Sequence, residues 1–201
     1  MRQSLTALLE AMGFAVRAFS GAGSFRQFYR SSMPGCLLLD VCMPGASGLE
    51  LYEQLLHDGL RVPVVFMTAH ADVSMAVAAM KSGAVEFLEK PFDRSTLEDR
   101  VRRALALDRQ WRESESQYAA VQDRLDLLND RDRETLDFLL AGESNKAMAA
   151  RLLISQRAVE MRRARIMRKL GVSSMAQLLD LAIGHRIQSD LRRAARDQRL
   201  L

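Results

Sequence analysis

The sequence predicts an α/β domain built on a parallel sheet, followed by an all-α domain. Three observations carry this. In residues 1–107, short apolar runs alternate with stretches of helical periodicity, the pattern of βαβ units. From residue 108 onward every apolar repeat runs at steps of three and four, which is helical. Charge divides at the same place: residues 1–107 balance 11 basic against 11 acidic side chains, while 108–201 carry 18 against 14.

The elements follow in order. Leu5, Leu8, Leu9 and Met12 recur at helical spacing and stop at Gly13, after which Phe14–Phe19 reads as a strand. A helix around 22–31 leads to the apolar run Cys36–Leu39, a helix around 47–58 to Val62–Met67, and a helix around 72–82 to Ala84–Glu89. A helix near 94–107 closes this domain. Leu107, Trp111, Ser114, Tyr118, Val121, Leu125 and Leu128 then mark a short heptad stripe, either packed on its own chain or paired with a second copy. This predicts a helical linker over 108–124. Beyond it Asn129, Ser144, Ser155 and Ser173 or Ser174 each stand where a helix cap belongs, and Gly142 and Gly171 end two of the helices they start. The four-helix domain spans 125–183, and 184–201 is a polar, basic tail that reads as a loosely held helix.

Three strand ends deliver chemistry to one sheet edge. Asp40 closes the first run, Thr68 the second and Lys90 the third, and open α/β sheets place their sites at the carboxyl ends of their strands. A carboxylate, a hydroxyl and an ammonium converging there suit phosphoryl acceptance: carboxylates form acyl phosphates, and the transferred group needs charge neutralisation. Cys36 and Cys42 flank the first run and read as small core residues, not as a disulfide or redox pair.

The first half resembles the receiver domain of two-component response regulators. The carrying residues are Leu38–Gly45 with Gly48, then Phe66–His70, then Gly83–Phe92. The resemblance implies a flavodoxin-like, doubly wound sheet and phosphorylation of Asp40 by a sensor histidine kinase. It also implies Thr68 and Lys90 on the phosphoryl group, Phe87 as an aromatic switch, and Mg²⁺ held by Asp40 and the backbone carbonyl of Cys42. Receivers of this kind begin with an apolar strand ending in two acidic residues that hold the metal. Here Met1 already stands at the entrance to the first helix, and Glu10 is the only carboxylate before Asp40. The expectation is therefore a sheet lacking its first strand, a weakened Mg²⁺ site, and a truncated or misassigned start.

Residues 125–183 resemble the LuxR-type helix-turn-helix of the NarL/FixJ family, on Leu128–Glu134, Gly142–Ala149 and Ile154–Leu170. At about 100° per residue, Val159, Ile166 and Leu170 share the buried face of the third helix. Arg157, Glu160, Met161 and Ala164 then face the bases. Arg165, Arg168 and Lys169 are placed for phosphates, as are Asn145 and Lys146 at the start of the short second helix.

The leading expectation is a transcription regulator whose binding to a two-fold symmetric duplex operator is controlled by phosphorylation. It would act as a homodimer on DNA, with RNA polymerase as a further candidate partner. The rival is a regulator whose receiver serves only for dimerisation. An RNA-binding antiterminator is a third reading, disfavoured by the helix-turn-helix spacing. No nucleophile–base set or phosphate-cradling glycine loop follows residue 107, so a catalytic output is not expected. No apolar run approaches membrane-span length and the first residues lack a secretory signal, so the expected location is cytoplasmic.

Overall fold

The computed structural model describes residues 2–43, 47–69 and 86–197, and the chain divides into two compact units, Met1–Arg112 and Glu113–Leu201. The helix expected around 72–82 lies outside the described residues, as does His70. Among the described residues no helix is long and apolar enough to cross a membrane.

The first unit holds α1 (Arg2–Ala11), α2 (Ala22–Phe28), β1 (Leu37–Asp40), α3 (Gly48–His57), β2 (Val64–Thr68) and β3 (Glu86–Glu89). The strands pair in parallel in the order β1-β2-β3, with Leu39 opposite Phe66 and Phe66 opposite Phe87. Successive residues of β2 feed opposite faces, as a strand's twofold side-chain alternation requires. Val64 and Phe66 join Leu39, Leu51, Leu55 and Phe25 in one core, under α2 and α3. Val65 and Met67 join Leu9, Leu88, Leu97 and Val101 in another, under α1 and the start of α4 (Arg94–Asp126). A sheet covered on both faces needs near-continuous apolar strands, and all five residues of β2 are buried.

Phe14–Phe19 is not a strand. Its apolar side chains are used as expected, Phe14 and Val16 against one core and Phe19 against the other. A strand, however, also needs a ladder partner for its backbone, and none of the described strands pairs with this segment.

α4 is one continuous helix of 33 residues, so the expected closing helix and linker are a single element. Up to Arg112 it belongs to the first unit. Buried Asp108 accepts from the Gly35 amide at 3.0 Å and from Arg112 Nε at 2.8 Å, while Arg112 also donates to the carbonyls of Ser31 and Met33. The Arg61 guanidinium lies 3.9 Å from the centroid of the Trp111 ring. Beside this clamp, burial pushes the Cys36 thiol up to about 11, with Asp108 adding to the effect, which suits an inert core cysteine.

The second unit holds the end of α4 with α5 (Asp130–Leu140), α6 (Asn145–Arg151), α7 (Gln156–Leu170) and α8 (Met175–Asp197). The expected caps are in place: the side chains of Asn129, Ser144 and Ser155 accept from the amides of Asp132, Ala147 and Ala158. Ser174 does the same for Gln177, and Gly171 ends α7 at φ 67°. The polar segment from 184, expected as a loosely held helix, continues α8 to Asp197. It is tied down by the heptad stripe: Tyr118 shares a 2.7 Å hydrogen bond with Ser189 and stacks on His185 with centroids 4.5 Å apart. Trp111 and Tyr118 are thus spent on their own chain.

Candidate functional site

Asp40 is the last residue of β1 and Lys90 follows β3 by one residue, so the register places both at the carboxyl edge of the sheet, on either side of β2. Lys90 Nζ stands 2.6 Å from Asp40 Oδ2, and Asp40 Oδ1 accepts the Cys42 amide at 3.1 Å. Thr68, buried at the end of β2, accepts the Lys90 amide on its carbonyl at 2.7 Å. The Lys90–Pro91 bond is cis. Both members of the ion pair keep about a fifth of their side-chain surface, 20% for Asp40 and 18% for Lys90, so the carboxylate is reachable while its charge is matched. Phe87 is half-buried against the core that contains Phe66.

Two further residues support this edge: Gly48, already among the residues that carry the receiver resemblance, and Ser47, which the sequence reading does not single out. Ser47 caps α3 in a reciprocal capping box with Glu50, and Gly48 follows it. A Cβ at Gly48 would lie 2.3 Å from the Asp40 carbonyl oxygen, so only glycine lets α3 start this close to the acceptor. The spacing of Ser47 and Glu50 was the available signal.

Receiver domains generally hold Mg²⁺ at the acceptor. Of the two donors that the resemblance implies, Asp40 stands at the sheet edge with Cys42 two residues on, and no group of three or more His, Cys, Asp or Glu side chains gathers among the described residues. Mg²⁺ held by these two would take phosphate and water for the rest of its octahedral set, a weaker site than one with further carboxylates.

In the second unit, Val159, Ile166 and Leu170 of α7 are fully buried, so the opposite face is turned outward as predicted. Arg157, Glu160, Met161, Ala164 and Arg168 are exposed on it. The basic side chains of α6 and α7 separate into two sets. Among the described residues Arg157, Arg162, Arg168 and Lys146 have no hydrogen-bond or ion-pair partner. The others are engaged: Arg163 donates to Asn145 Oδ1 at 3.0 Å, and Arg151 to Glu143 at 2.6 Å.

Arg165 and Lys169, expected on phosphates, both bind Asp132, whose side chain is fully buried at the third position of α5. Arg165 Nε lies 3.0 Å from Oδ1, and Lys169 Nζ lies 2.8 Å from Oδ2 and 2.9 Å from the Leu127 carbonyl. Burial works to raise the Asp132 pKa, but the Lys169 and Arg165 hydrogen bonds and charges outweigh it and hold the carboxyl below its usual value. Helical periodicity places Arg165 and Lys169 at the edge of the outer face, but it cannot see a carboxylate on another helix. Asn145, likewise expected on phosphate, has its side-chain oxygen taken by Arg163.

Residues 1–102 match the response regulator receiver domain, and residues 126–182 match the LuxR family of bacterial regulatory proteins. The transcriptional regulatory protein FixJ of Azorhizobium caulinodans is 40% identical over 183 residues, covering 91% of this chain and 87% of FixJ. The response regulator protein TodT of Pseudomonas putida is 38% identical over 177 residues, 88% of this chain and 78% of TodT. Among solved structures, that of the response regulator StyR matches with a TM-score of 0.83 and 38% identity, over 92% of this chain and 93% of StyR. Full-length FixJ from B. japonicum matches with a TM-score of 0.55 and 37% identity, over 93% and 92% of the two chains.

Proposed function

The chain belongs to the two-component response regulators that join a receiver to a LuxR-type DNA-binding domain, and on that premise we propose that phosphorylation of Asp40 by a sensor histidine kinase controls its sequence-specific binding to duplex DNA. The observation that supports this most is the contact between Lys90 Nζ and Asp40 Oδ2 at 2.6 Å, with Thr68 at the strand end between them. A carboxylate oxygen of Asp40 forms the new P–O bond as the P–N bond to the kinase histidine breaks and the imidazole leaves. The Lys90 ammonium already sits where the added phosphoryl charge arrives, and fixed positive charge at that point lowers the barrier without reorganisation. Thr68 and Phe87 then carry the change outward, the hydroxyl toward the phosphoryl oxygen and the ring inward.

On DNA, α7 enters the major groove with Arg157, Glu160, Met161 and Ala164 toward the bases. Arg168 and Lys146 meet phosphates, because both are exposed and have no internal partner among the described residues. Arg165 and Lys169 hold α7 against α5 through Asp132 and act on DNA by positioning that helix. The chain binds a two-fold symmetric operator as a dimer, a reading supported by Ile183, Ile187 and Leu191, which leave 43%, 55% and 65% of their surface exposed at four-residue spacing along α8. RNA polymerase is the downstream partner of a regulator of this kind.

The test is a phosphodonor titration of the full chain in Mg²⁺ buffer, read by intact mass and by fluorescence anisotropy on a selected duplex. A gain of one phosphoryl group that is absent in Asp40→Asn, together with tighter DNA binding, is expected. Operator affinity that is equal with and without the donor would favour a receiver that serves only for dimerisation.

A further inference from the structure

Resting on the reading of α7 as the helix that enters DNA, we infer that Met161 selects a thymine in each operator half-site, through contact with the base's 5-methyl group. Met161 is 68% exposed, whereas Val159, Ile166 and Leu170 of the same helix are fully buried, so it has no part in the core. An isolated exposed apolar side chain means little by itself. This one stands at the centre of the outward face. Arg157 lies four residues before it and Arg168 seven after, which places all three within about 60° of one another around the helix. Ala164, three residues on, is exposed and too small to shield it.

The surroundings decide what can cover it. Arg157 and Arg168 have no partner among the described residues and supply the charge that brings a polyanion onto this face. Once the helix is in the groove, the Met161 side chain loses water to whatever base edge lies beneath it. Guanine, adenine and cytosine present donors and acceptors there, and an apolar side chain would strip them of water without replacing their hydrogen bonds. The one sizeable apolar group of the major groove is the thymine methyl. An unbranched thioether, with three rotatable bonds and a polarisable sulfur, can reach and follow that methyl.

The experiment uses the full chain. A preferred duplex is selected from a random pool, and each thymine of its half-site is then replaced by deoxyuridine, which lacks only the methyl group. Affinity is measured at fixed salt. One thymine position is expected to be methyl-sensitive, its replacement weakening binding roughly four-fold per half-site, the value of one buried methyl-sized group. That sensitivity should vanish in Met161→Ala and persist in Met161→Leu. Uniform tolerance of deoxyuridine, or the same sensitivity in Met161→Ala, overturns the inference while leaving sequence-specific binding intact. Loss of transcription in Met161→Ala with unchanged operator affinity also overturns it, by assigning the side chain to a protein contact. If the pool yields no preferred duplex, the proposed function fails together with it.

Discussion

Lys90 and Asp40, fifty residues apart, meet at 2.6 Å across the carboxyl ends of two strands that are not neighbours. The pair exists because both flanking strands register on β2, with Asp40 opposite Met67 and Thr68 opposite Glu89. Replacing Lys90 with Ala leaves the carboxylate in place and removes the cation from the point where phosphoryl charge develops. Phosphoryl transfer from a small donor is expected to slow by about 10²-fold, with little change in melting temperature, since the pair is partly solvated. Rapid-quench measurement of the phosphorylated fraction checks this, and an unchanged rate would remove Lys90 from the site.

Gly48→Ala strikes the acceptor through its backbone. The new Cβ would fall 2.3 Å from the Asp40 carbonyl and 3.0 Å from Leu39 Cγ, so either the start of α3 or the end of β1 must move. A loss of about 1–3 kcal/mol of stability is expected from the overpacking, with phosphorylation reduced even at temperatures where the variant is folded. Denaturant titration and intact mass separate the two effects.

Asp132→Asn removes the charge that Arg165 and Lys169 share. Because the carboxylate is fully buried while both cations remain partly solvated, the cost is expected near 2 kcal/mol, below that of stranding a buried ion. The pH dependence has a definite sign. The folded carboxyl titrates below its unfolded value, so its contribution is whole above about pH 4 and is lost as pH falls through the lower folded value. Urea melts of the wild-type chain should weaken in that window more than those of Asp132→Asn. DNA affinity should fall in the variant at neutral pH for all sequences alike, because α7 loses its seat.

Leu153→Gly is expected to stabilise. Leu153 sits at φ 52° in the turn before α7 and is 91% exposed, so it bears left-handed strain and makes almost no contact in return. Relief of up to about 1 kcal/mol is expected, seen as a higher melting temperature with operator preference unchanged. A lower melting temperature would show that the leucine is held by something its exposure does not reveal.

Much of this was legible in the sequence because its signals act over a few residues. Asn129, Ser144 and Ser155 cap amides three positions on, Gly171 supplies a left-handed terminus, and the buried face of α7 follows from a 3.6-residue period. Strand ends bearing Asp40, Thr68 and Lys90 were legible for the same reason, each as a short apolar run stopped by a polar residue. What was not legible depended on a distant partner. Phe14–Phe19 has the alternation of a strand and the packing of one, but a ladder requires a second backbone. Arg165 and Lys169 lie where a helical wheel would give them to DNA, but Asp132, 33 and 37 residues away, takes both. The tail from 184 reads as loose because its own composition is polar, but Tyr118 reaches it from 71 residues earlier, at Ser189. Local propensity, capping and periodicity belong to the chain alone, whereas ion pairs, ladders and helix docking are decided when packing brings remote residues within ångströms, and no spacing along the sequence encodes which of the available charges will be neutralised there.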